Sequence, residues 1–464
     1  MIPVEKNKTY NLKITDVSSD GNGIGHIDGF AVFVPQTAEG DVIECLIVKV
    51  RTHFAYGKAM KIIEASPYRS EPLCKAYKRC GGCQLMHIDY EKQKQIKKSI
   101  VDNALQRIGG FEGFVTDGIE TLDYPCRYRN KMVFPVGKDK SGKTVCGFYA
   151  QRSHDIMPLD DCFSGSEVNA KINKAVLEYM SESNVSPYDE TTHKGIVRRI
   201  FTRTAYVTKE IMVVISVNAD KIPNKDLLIQ KLIAVDENIK SIILNINKEK
   251  TNLVLGNKNI TLYGSDFIVD YLLGVRFEIS PHSFYQINPV MTEKLYLQAI
   301  EYAALGGKEK VMDIYCGIGT ISLCAAKRAH SVIGVEIVEA AIANAIENAK
   351  NNNITNAKFY ADSAENIVPK LIEEGERPDV VILDPPRKGS DEKTLSAIIK
   401  AAPERIVYVS CNPSTLARDA KFLCENGYKL EKAKCFDLFP NTVHVECCAL
   451  LCRGGIYDNF TKGS

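Results

Sequence analysis

The sequence predicts an α/β protein in three parts: an N-terminal small β-barrel, a central mixed α/β domain and a C-terminal Rossmann-like domain. Short apolar runs separated by turn residues occupy the N-terminus, whereas strand and helix patterns alternate regularly from about residue 281 onward. The chain of 464 residues is also too long for a single hydrophobic core. We therefore predict domains at residues 1–64, 65–275 and 276–464.

The composition is that of an ordinary globular protein, with 45% apolar and 25% charged residues and a formal net charge of +2. No apolar run approaches the ~20 residues that cross a bilayer, so no membrane association is expected. The N-terminal MIPVEKNKTY has no apolar signal core, so we expect the protein to stay in the cytoplasm. We also expect a monomer. Fifteen cysteines in such a chain indicate metal ligands, free thiols or a nucleophile rather than disulfides.

The N-terminal runs predict the barrel. They cover residues 10–17, 30–34, 42–50 and 55–63. The glycine-rich DGNGIG at 20–25 comes too early for a nucleotide-binding loop and is interpreted as a hairpin in a five-stranded barrel. Such barrels often bind single-stranded or looped RNA, although the spacing alone is equally compatible with a purely structural cap.

Three cysteines lie within ten residues in the segment CKAYKRCGGC: Cys74, Cys80 and Cys83. Their spacing predicts metal ligands rather than unrelated core thiols, and four thiolates complete a zinc or an iron–sulfur site. The candidates for the fourth ligand are Cys126, Cys146 and Cys162. Cys162 is favoured because its surroundings, LDDCF, are polar. The spacing leaves zinc and iron–sulfur open.

Basic residues follow this segment. A helix is predicted over residues 90–108 with a solvent-facing row of lysines, which is either a phosphate-binding surface or a solvated face. The row comprises Lys92, Lys94, Lys97 and Lys98. The stretch YPCRYRNK at 124–131 interleaves tyrosines with arginines, a mixture that suits stacking on bases and pairing with phosphates. Arg198, Arg199 and Arg203 extend the basic character.

The C-terminal strands end in polar or reactive residues: Tyr315, Glu336, Asp362, Asp384 and Cys411. Because parallel strands bring their carboxyl ends to one crevice, these residues predict an active site. The loop CGIGT at 316–320 lets backbone amides approach a ligand, and Glu336 is spaced to accept hydrogen bonds from ribose hydroxyls. Ser322 replaces the third glycine of the dinucleotide fingerprint, which favours S-adenosyl-L-methionine over NAD.

Cys411 ends the buried strand of RIVYVSCNPSTLARD, directly before a predicted helix. A thiol there is either a nucleophile or an inert core cysteine, and the neighbouring strand ends favour the nucleophile. Glu446 immediately precedes the final strand, where a carboxylate can also simply cap the strand edge.

These motifs together resemble the RNA uracil-C5 methyltransferase family. They are FYQINP at 284–289, DIYCG at 313–317, DPPR at 384–387, SCNP at 410–413 and HVE at 444–446. The N-terminal module is similar to the TRAM barrel of that family. The cysteine set with Cys162 resembles the 4Fe-4S site of its 23S ribosomal RNA branch. Tyr315 departs from the phenylalanine of several relatives.

The resemblance implies S-adenosyl-L-methionine-dependent methylation of C5 of uridine in 23S ribosomal RNA. A transfer RNA uridine-C5 methyltransferase is the alternative, although that branch lacks barrel and cluster. By resemblance, Cys411 adds to uracil C6, Asp384 orients the pyrimidine and Glu446 removes the C5 proton. The residues implied to hold the methyl donor are Gln286, Tyr315, Glu336 and Asp384, with Asp362 a weaker candidate near the adenine.

Three other functions are disfavoured. Amino-group methyltransferases usually place an aromatic residue after Asp-Pro-Pro, where this chain has Arg387. Cytosine-C5 enzymes usually carry a Pro-Cys in that loop, and none is present. A non-catalytic RNA-binding protein would be expected to lose Cys411 or Glu446, and both remain.

Overall fold

The computed structural model of the chain describes residues 2–151 and 153–454. The last ten residues of the third predicted domain, 455–464, lie outside this part of the chain. Within it, no helix combines the length and the apolar character needed to cross a membrane.

A closed five-stranded barrel forms the N-terminus, as predicted. Its strands are β1 (Thr9–Val17), β2 (Asn22–Ile27), β3 (Phe30–Pro35), β4 (Val42–Val50) and β5 (Phe54–Glu64). They follow the order β1-β2-β3-β5-β4, and alternate residues such as Leu12, Val32 and Ile43 fill the interior. Most of the glycine-rich segment is strand, since β2 begins at Asn22. The tight turn before β2 contains Gly21, which has a left-handed backbone.

The central region contains an irregular cysteine-bearing segment, residues 65–89, followed by α1 (Tyr90–Arg107). A mixed sheet follows in the order β13-β12-β11-β10-β7-β8-β9, with one parallel pair, β11 and β12. Its strands are β7 (Lys131–Lys138), β8 (Thr144–Tyr149), β9 (Ile156–Pro158), β10 (Val197–Thr204), β11 (Ile211–Val217), β12 (Ile239–Ile246) and β13 (Lys258–Gly264). Helices α2 (Val168–Glu182) and α3 (Lys225–Ile233) pack on it through one apolar cluster.

An eight-stranded sheet organises the C-terminal region in the order β18-β17-β16-β19-β20-β22-β21-β6. Its first five strands are parallel and β22 is antiparallel to β20. The strands are β6 (Ile119–Glu120), β16 (Lys310–Ile314), β17 (Ser331–Glu336), β18 (Ala357–Ala361), β19 (Val380–Leu383), β20 (Arg405–Ser410), β21 (Tyr428–Phe436) and β22 (Glu446–Arg453). The helices are α4 (Pro289–Ala303), α5 (Thr320–Ala326), α6 (Glu339–Asn351), α7 (Ala364–Glu373), α8 (Glu392–Ala401) and α9 (Pro413–Glu425).

A hairpin of β14 (Ile268–Leu272) and β15 (Val275–Ile279) joins the two regions and packs against the C-terminal core. It runs across the predicted boundary between residues 275 and 276. The domain boundaries at residues 64/65 and 275/276 remain predictions.

The lysine row on α1 differs from its predicted solvent-facing position. Lys97 is fully buried and donates to the Asp437 carboxylate and the Phe439 carbonyl, so it cannot contact phosphate. The other three lysines pair with acids: Lys92 with Glu39, Lys94 with Glu91 and Lys98 with Asp102. The prediction is wrong for Lys97 because this side chain lies on the inward-facing side of α1. There its ammonium group neutralises the buried carboxylate of Asp437.

The three arginines of β10 are also buried rather than displayed for RNA. Arg198 and Arg199 donate to carbonyls between residues 247 and 253 and lie near Glu190. Arg203 donates to the carbonyls of Ser280 and Ser283. These guanidiniums therefore tie segments together, because each donates to at least one backbone carbonyl of another segment.

Candidate active site

A cavity of about 550 Å³ opens at the carboxyl ends of the parallel strands of the C-terminal sheet. Six of the seven residues predicted for donor binding and catalysis line it: Gln286, Tyr315, Glu336, Asp384, Cys411 and Glu446. A parallel sheet with crossover helices collects its strand ends in this way, which explains why residues far apart in sequence meet here.

The loop after β16 shapes one wall. Tyr315 adopts a left-handed backbone with φ 73°, and its amide donates to the carbonyl of Val335 at 2.8 Å. The Glu336 carboxylate accepts hydrogen bonds from the amides of Gly317, at 3.2 Å, and Val338, at 3.0 Å. Glu336 is therefore held by backbone at a fixed place beside the glycine loop, with its carboxylate on the cavity wall.

Gln286 reaches the cavity from the segment before α4. The Asn130 side chain donates to the Gln286 carbonyl at 2.9 Å, and the Asn130 amide donates to the carbonyl of Ile287 at 2.8 Å. Asn288 caps α4 through the amide of Met291 and also donates to the carbonyl of Leu438. These bonds fix the FYQINP segment between the central region and the C-terminal sheet.

Hydrogen bonds join the loop after β19, which carries Asp384, to the loop after β20, which carries Cys411. The Asn412 side chain, which caps α9, donates to the carbonyl of Arg387 at 2.9 Å. Arg418 of the same helix donates to the carbonyl of Lys388 at 3.1 Å. Gly389, with φ 82°, lies so close that an added Cβ would come 2.4 Å from the Arg418 guanidinium. The thiol and the Asp384 carboxyl are thus held on one rigid unit.

Charge and burial govern the protonation of these groups. Burial, and then the charge of Asp313, raises the pKa of Asp384 to about 7. Burial, and then Asp384, raises the pKa of Glu446 to about 8, against the lowering effect of Arg387. Burial and the two acids raise the pKa of the Cys411 thiol to about 11, while Arg387 lowers it. Each acid therefore disfavours ionisation of the other and of the thiol.

Asp362 is the predicted residue that the structure does not bring into the cavity. Its side chain is exposed and accepts a hydrogen bond from the amide of Ser363, at the start of α7. The prediction of Asp362 as a weaker donor-binding residue near the adenine stays a prediction, because one hydrogen bond from a backbone amide leaves acceptor capacity on its carboxylate. Ser363 and Glu365 line the cavity instead.

Among the lining residues without a predicted role, three lie close to one another: Arg387, Phe439 and His444. Phe439 and His444 lie on the loop before β22, and their rings meet edge to face with centroids 5.8 Å apart. Arg387 approaches His444, with Nη2 3.5 Å from Nε2. Burial, and then the charge of Arg387, lowers the pKa of His444. The motifs DPPR and HVE contained two of these residues, whereas Phe439 had no recognisable sequence signal.

A second cavity, of about 220 Å³, is lined by the four predicted ligands Cys74, Cys80, Cys83 and Cys162. The other two candidates, Cys126 and Cys146, are buried elsewhere. The Arg127 guanidinium anchors the loop of Cys162 by bonding to Asp161 and to the carbonyl of Cys162. The choice of Cys162 therefore agrees with the position of its side chain.

The thiol set suits a soft metal in its chemistry, because all four donors are sulfur. Burial, and then the neighbouring Cys162, raises the pKa of Cys83 to about 12. Nevertheless, in residues 2–151 and 153–454 no group of three or more His, Cys, Asp or Glu side chains is arranged closely enough to hold a metal ion. The predicted metal site is therefore not confirmed.

The open sheet, its glycine loop and the cavity at its strand ends define the fold class of S-adenosyl-L-methionine-dependent methyltransferases. The model of the tRNA (Uracil-5-)-methyltransferase family matches residues 230–454, and the model of the TRAM domain matches residues 3–60. An uncharacterized RNA methyltransferase of Clostridium tetani is 48% identical over 450 residues, covering 97% of each chain. One from Bacillus cereus is 43% identical over 451 residues, covering 97% of this chain and 98% of the relative. The chain belongs to this family of TRAM-containing RNA uracil-5-methyltransferases.

Among solved structures, the Pyrococcus abyssi tRNA (uracil-54, C5)-methyltransferase in complex with S-adenosyl-L-homocysteine is similar over nearly the whole chain. Its identity is 27% and its TM-score 0.76, and the match covers 95% of this chain and 100% of that one. The barrel, the central region and the C-terminal sheet thus have counterparts in one known molecule.

Proposed function

We propose that this protein methylates C5 of uridine in RNA through a covalent adduct between Cys411 and uracil C6. The carrying observation is that the Cys411 thiol and the carboxyls of Asp384 and Glu446 line one cavity beside the glycine loop and Glu336. A nucleophile, a general base and a donor site in one cavity are what this reaction needs.

The first half of the reaction makes C5 nucleophilic. The Cys411 thiolate forms a bond to C6, and the electrons of the C5=C6 double bond move toward the C4 carbonyl to give an enolate. S-adenosyl-L-methionine, when bound, supplies an electrophilic methyl group on a positively charged sulfur. C5 of the enolate forms a bond to that methyl group as the methyl–sulfur bond breaks, and the electrons of the broken bond stay on the sulfur, which becomes neutral. The Asp384 carboxyl holds the pyrimidine in register with Cys411.

The second half restores the aromatic-like ring of the pyrimidine. C5 now carries both a methyl group and a hydrogen, and the Glu446 carboxylate removes that proton. The C–H electrons re-form the C5=C6 double bond, the C6–S bond breaks and the Cys411 thiolate leaves. A pKa of about 8 makes Glu446 a stronger base than an ordinary carboxylate, and its ionised fraction rises with pH through that value.

The same charges explain how a buried thiol can be activated. Asp384 and Glu446 raise the pKa of Cys411 and therefore suppress premature thiolate formation. A positively charged ligand in this acid-lined cavity offsets that effect, and Arg387 acts in the same direction. Nucleophile formation is thereby linked to occupation of the donor site.

We propose 23S ribosomal RNA as the substrate. The four-cysteine cavity supports this choice through its resemblance to the 23S ribosomal RNA branch. The barrel does not separate the two substrates, because the similar transfer RNA enzyme matches 95% of this chain. Transfer RNA is the second candidate, because the similar Pyrococcus abyssi structure is named for a transfer RNA uracil. Mapping 5-methyluridine in ribosomal and transfer RNA from a deletion strain tests the choice: loss from 23S RNA is expected, and loss confined to transfer RNA would overturn it.

We further propose that Cys74, Cys80, Cys83 and Cys162 hold a 4Fe-4S cluster, with zinc as the alternative. The convergence of four thiols on one cavity supports this proposal. Arg129 and Lys131 line the same cavity, and no Asp or Glu stands among its described lining residues. These cations suit the negative charge that a thiolate-ligated cluster carries. The cluster has no step in the methylation chemistry, so its role is to shape this region.

Trapping tests the covalent mechanism. RNA with 5-fluorouridine at the target should form a complex that survives denaturation, because fluorine cannot be removed from C5 as a proton. Cys411→Ala should abolish the complex, and Cys424→Ala, which alters another half-buried thiol, should retain it. A complex that persists in Cys411→Ala would assign the nucleophile to another residue.

A further inference from the structure

The loop of residues 437–445, between β21 and β22, forms one side of the catalytic cavity. It carries Phe439 and His444, and it leads directly into Glu446. We propose that helix α1 and the cysteine-bearing segment hold this loop in its catalytic position, with Lys97 as the central positioning residue. The proposal rests on the proposed function, because the step that it controls is proton removal by Glu446.

Lys97 makes the central contact. Its ammonium donates to Asp437 Oδ1 and, at 2.9 Å, to the carbonyl of Phe439, so it fixes two points of the loop. Tyr90, two turns earlier on the same helix, donates to Asp437 Oδ2 at 3.0 Å. The Lys97 and Asp437 side chains are both fully buried, so solvent does not screen their attraction.

Further bonds reach the loop from α1 and the cysteine-bearing segment. Gln93 accepts from the amide of Asn441 at 3.1 Å and donates to its Oδ1 at 3.2 Å. The amide of Leu85, two residues after Cys83, donates to the carbonyl of Asn441 at 2.9 Å. The phenol of Tyr128 donates to the carbonyl of Pro440 at 3.1 Å. The loop backbone thus finds its partners largely outside the C-terminal sheet.

The loop needs such external partners because its own conformation is irregular. Asn441 adopts a left-handed backbone with φ 66°, and its side chain donates to the carbonyl of Pro125 at 2.9 Å. Only a few bonds are internal, such as that from Thr442 to the Phe439 carbonyl. Removing Lys97 should therefore release the loop while leaving β21 and β22 paired.

A double variant avoids a misfolding artefact. Lys97→Met alone leaves the Asp437 carboxylate buried without its cation, which is strongly destabilising. Lys97→Met with Asp437→Asn replaces the ion pair by neutral groups, keeps an acceptor for Tyr90 and removes the bond to Phe439. Lys98→Met is the matched control, since Lys98 is the next residue on α1 and pairs with Asp102 of the same helix instead of with the loop.

The double variant should still attack uracil but release product slowly. Adduct formation with 5-fluorouridine RNA should stay within about threefold of wild type, whereas turnover on uridine RNA should fall about 10²-fold as the base moves by a fraction of an ångström or more. A labelled, methylated protein–RNA adduct should accumulate during turnover. Lys98→Met should show neither change. Equal losses in both steps, or no loss in either, would overturn the positioning role.

Hydrogen exchange provides a readout that does not depend on the reaction. Amides of residues 437–446 should exchange faster in the double variant than in wild type or Lys98→Met, with β20 unchanged. Unaltered protection of this loop would overturn the proposal even if activity fell. If wild type itself forms no adduct with 5-fluorouridine RNA, the covalent mechanism fails, while the exchange result still decides whether Lys97 holds the loop.

Discussion

The candidate nucleophile and the candidate metal ligands lie in two different cavities of this protein, and the charges around these two cavities are opposite. Cys411 faces the acids Asp384 and Glu446, with Arg387 as the opposing cation. The four-cysteine cavity instead has Arg129 and Lys131 on its wall and no carboxylate among its described lining residues. Burial raises thiol pKa values in both, so burial alone does not distinguish a nucleophile from a ligand set.

The two cavities differ in the charge of the ligand that each one favours. An acid-lined cavity favours a cationic ligand and keeps its thiol protonated until that ligand arrives. A cation-lined thiol cavity favours an anionic assembly, as four thiolates around a metal centre are. The charge of the neighbours therefore separates the two kinds of thiol where the cysteine spacing could not.

The largest expected effect lies in the acid-lined cavity, at Glu446. Glu446→Gln keeps the shape and loses the basicity, so turnover should fall about 10²–10⁴-fold. Because the base acts after methyl transfer, a methylated covalent enzyme–RNA adduct should accumulate with ordinary uridine RNA. A denaturing gel with methyl-labelled donor measures it. A folded Glu446→Gln protein without a labelled band would limit Glu446 to a structural role.

The next effect belongs to the cation-lined cavity. Anaerobically purified protein should contain about four irons per chain. Cys162→Ala should lose most of this iron because one ligand is gone, whereas Cys146→Ala, altering a core thiol, should keep it. Metal analysis of both variants measures the difference. One zinc per chain with full activity, or iron retained in Cys162→Ala, would contradict the cluster.

A smaller effect concerns the thiol of Cys411 itself. Since Asp384 raises its pKa and Arg387 lowers it, Asp384→Asn should shift the pH profile of Cys411 alkylation downward and Arg387→Met upward. Each pKa unit changes the thiolate fraction at pH 8 about tenfold. Mass spectrometry of the peptide containing Cys411 measures its alkylation separately from the other thiols. Identical pH profiles of Cys411 alkylation in both variants would show that Asp384 and Arg387 do not set the pKa of this thiol.

The smallest effect is on stability. The pKa of Glu446 is raised in the folded state from 4.5 to about 8, so folding is favoured by protonation. The protein should therefore lose stability as pH rises from about 4.5 to 8. Glu446→Gln removes this loss, and its Tm at pH 8 should exceed that of wild type by about 5 °C. At pH 4.5 the difference should vanish. A lower Tm for the variant at pH 8 would mean that the carboxylate is stabilised after all.

The sequence was sufficient where a residue's place follows from strand topology. Tyr315, Glu336, Asp384 and Cys411 all sit at strand ends and meet in the cavity, as the regular alternation predicted. Asp362 also sits at a strand end but does not line the cavity, and its carboxylate accepts a hydrogen bond from the amide of Ser363, just before α7. Periodicity gives the position of a side chain along a strand and not its hydrogen-bond partner.

Long-range polar contacts were the part that sequence could not supply. Lys97 belongs to a run of helical lysines that look alike in sequence, yet it is buried against a loop 340 residues away. Arg203 is similar, because its acceptors are carbonyls of residues 280 and 283. No local pattern indicates which cation will meet an acceptor from another region, so both were assigned to solvent or RNA.

The turn glycine of the barrel, Gly21, shows how closely the barrel packs on the catalytic region. An added Cβ at Gly21 would come 2.8 Å from Val443 of the loop beside the active site and 2.9 Å from Gln84. The barrel is therefore docked onto the catalytic region instead of hanging from a flexible tether. A barrel that bound RNA from such a fixed attachment would hold its RNA element at a constant distance from the cavity, so the spacing between that element and the target base would contribute to substrate selection.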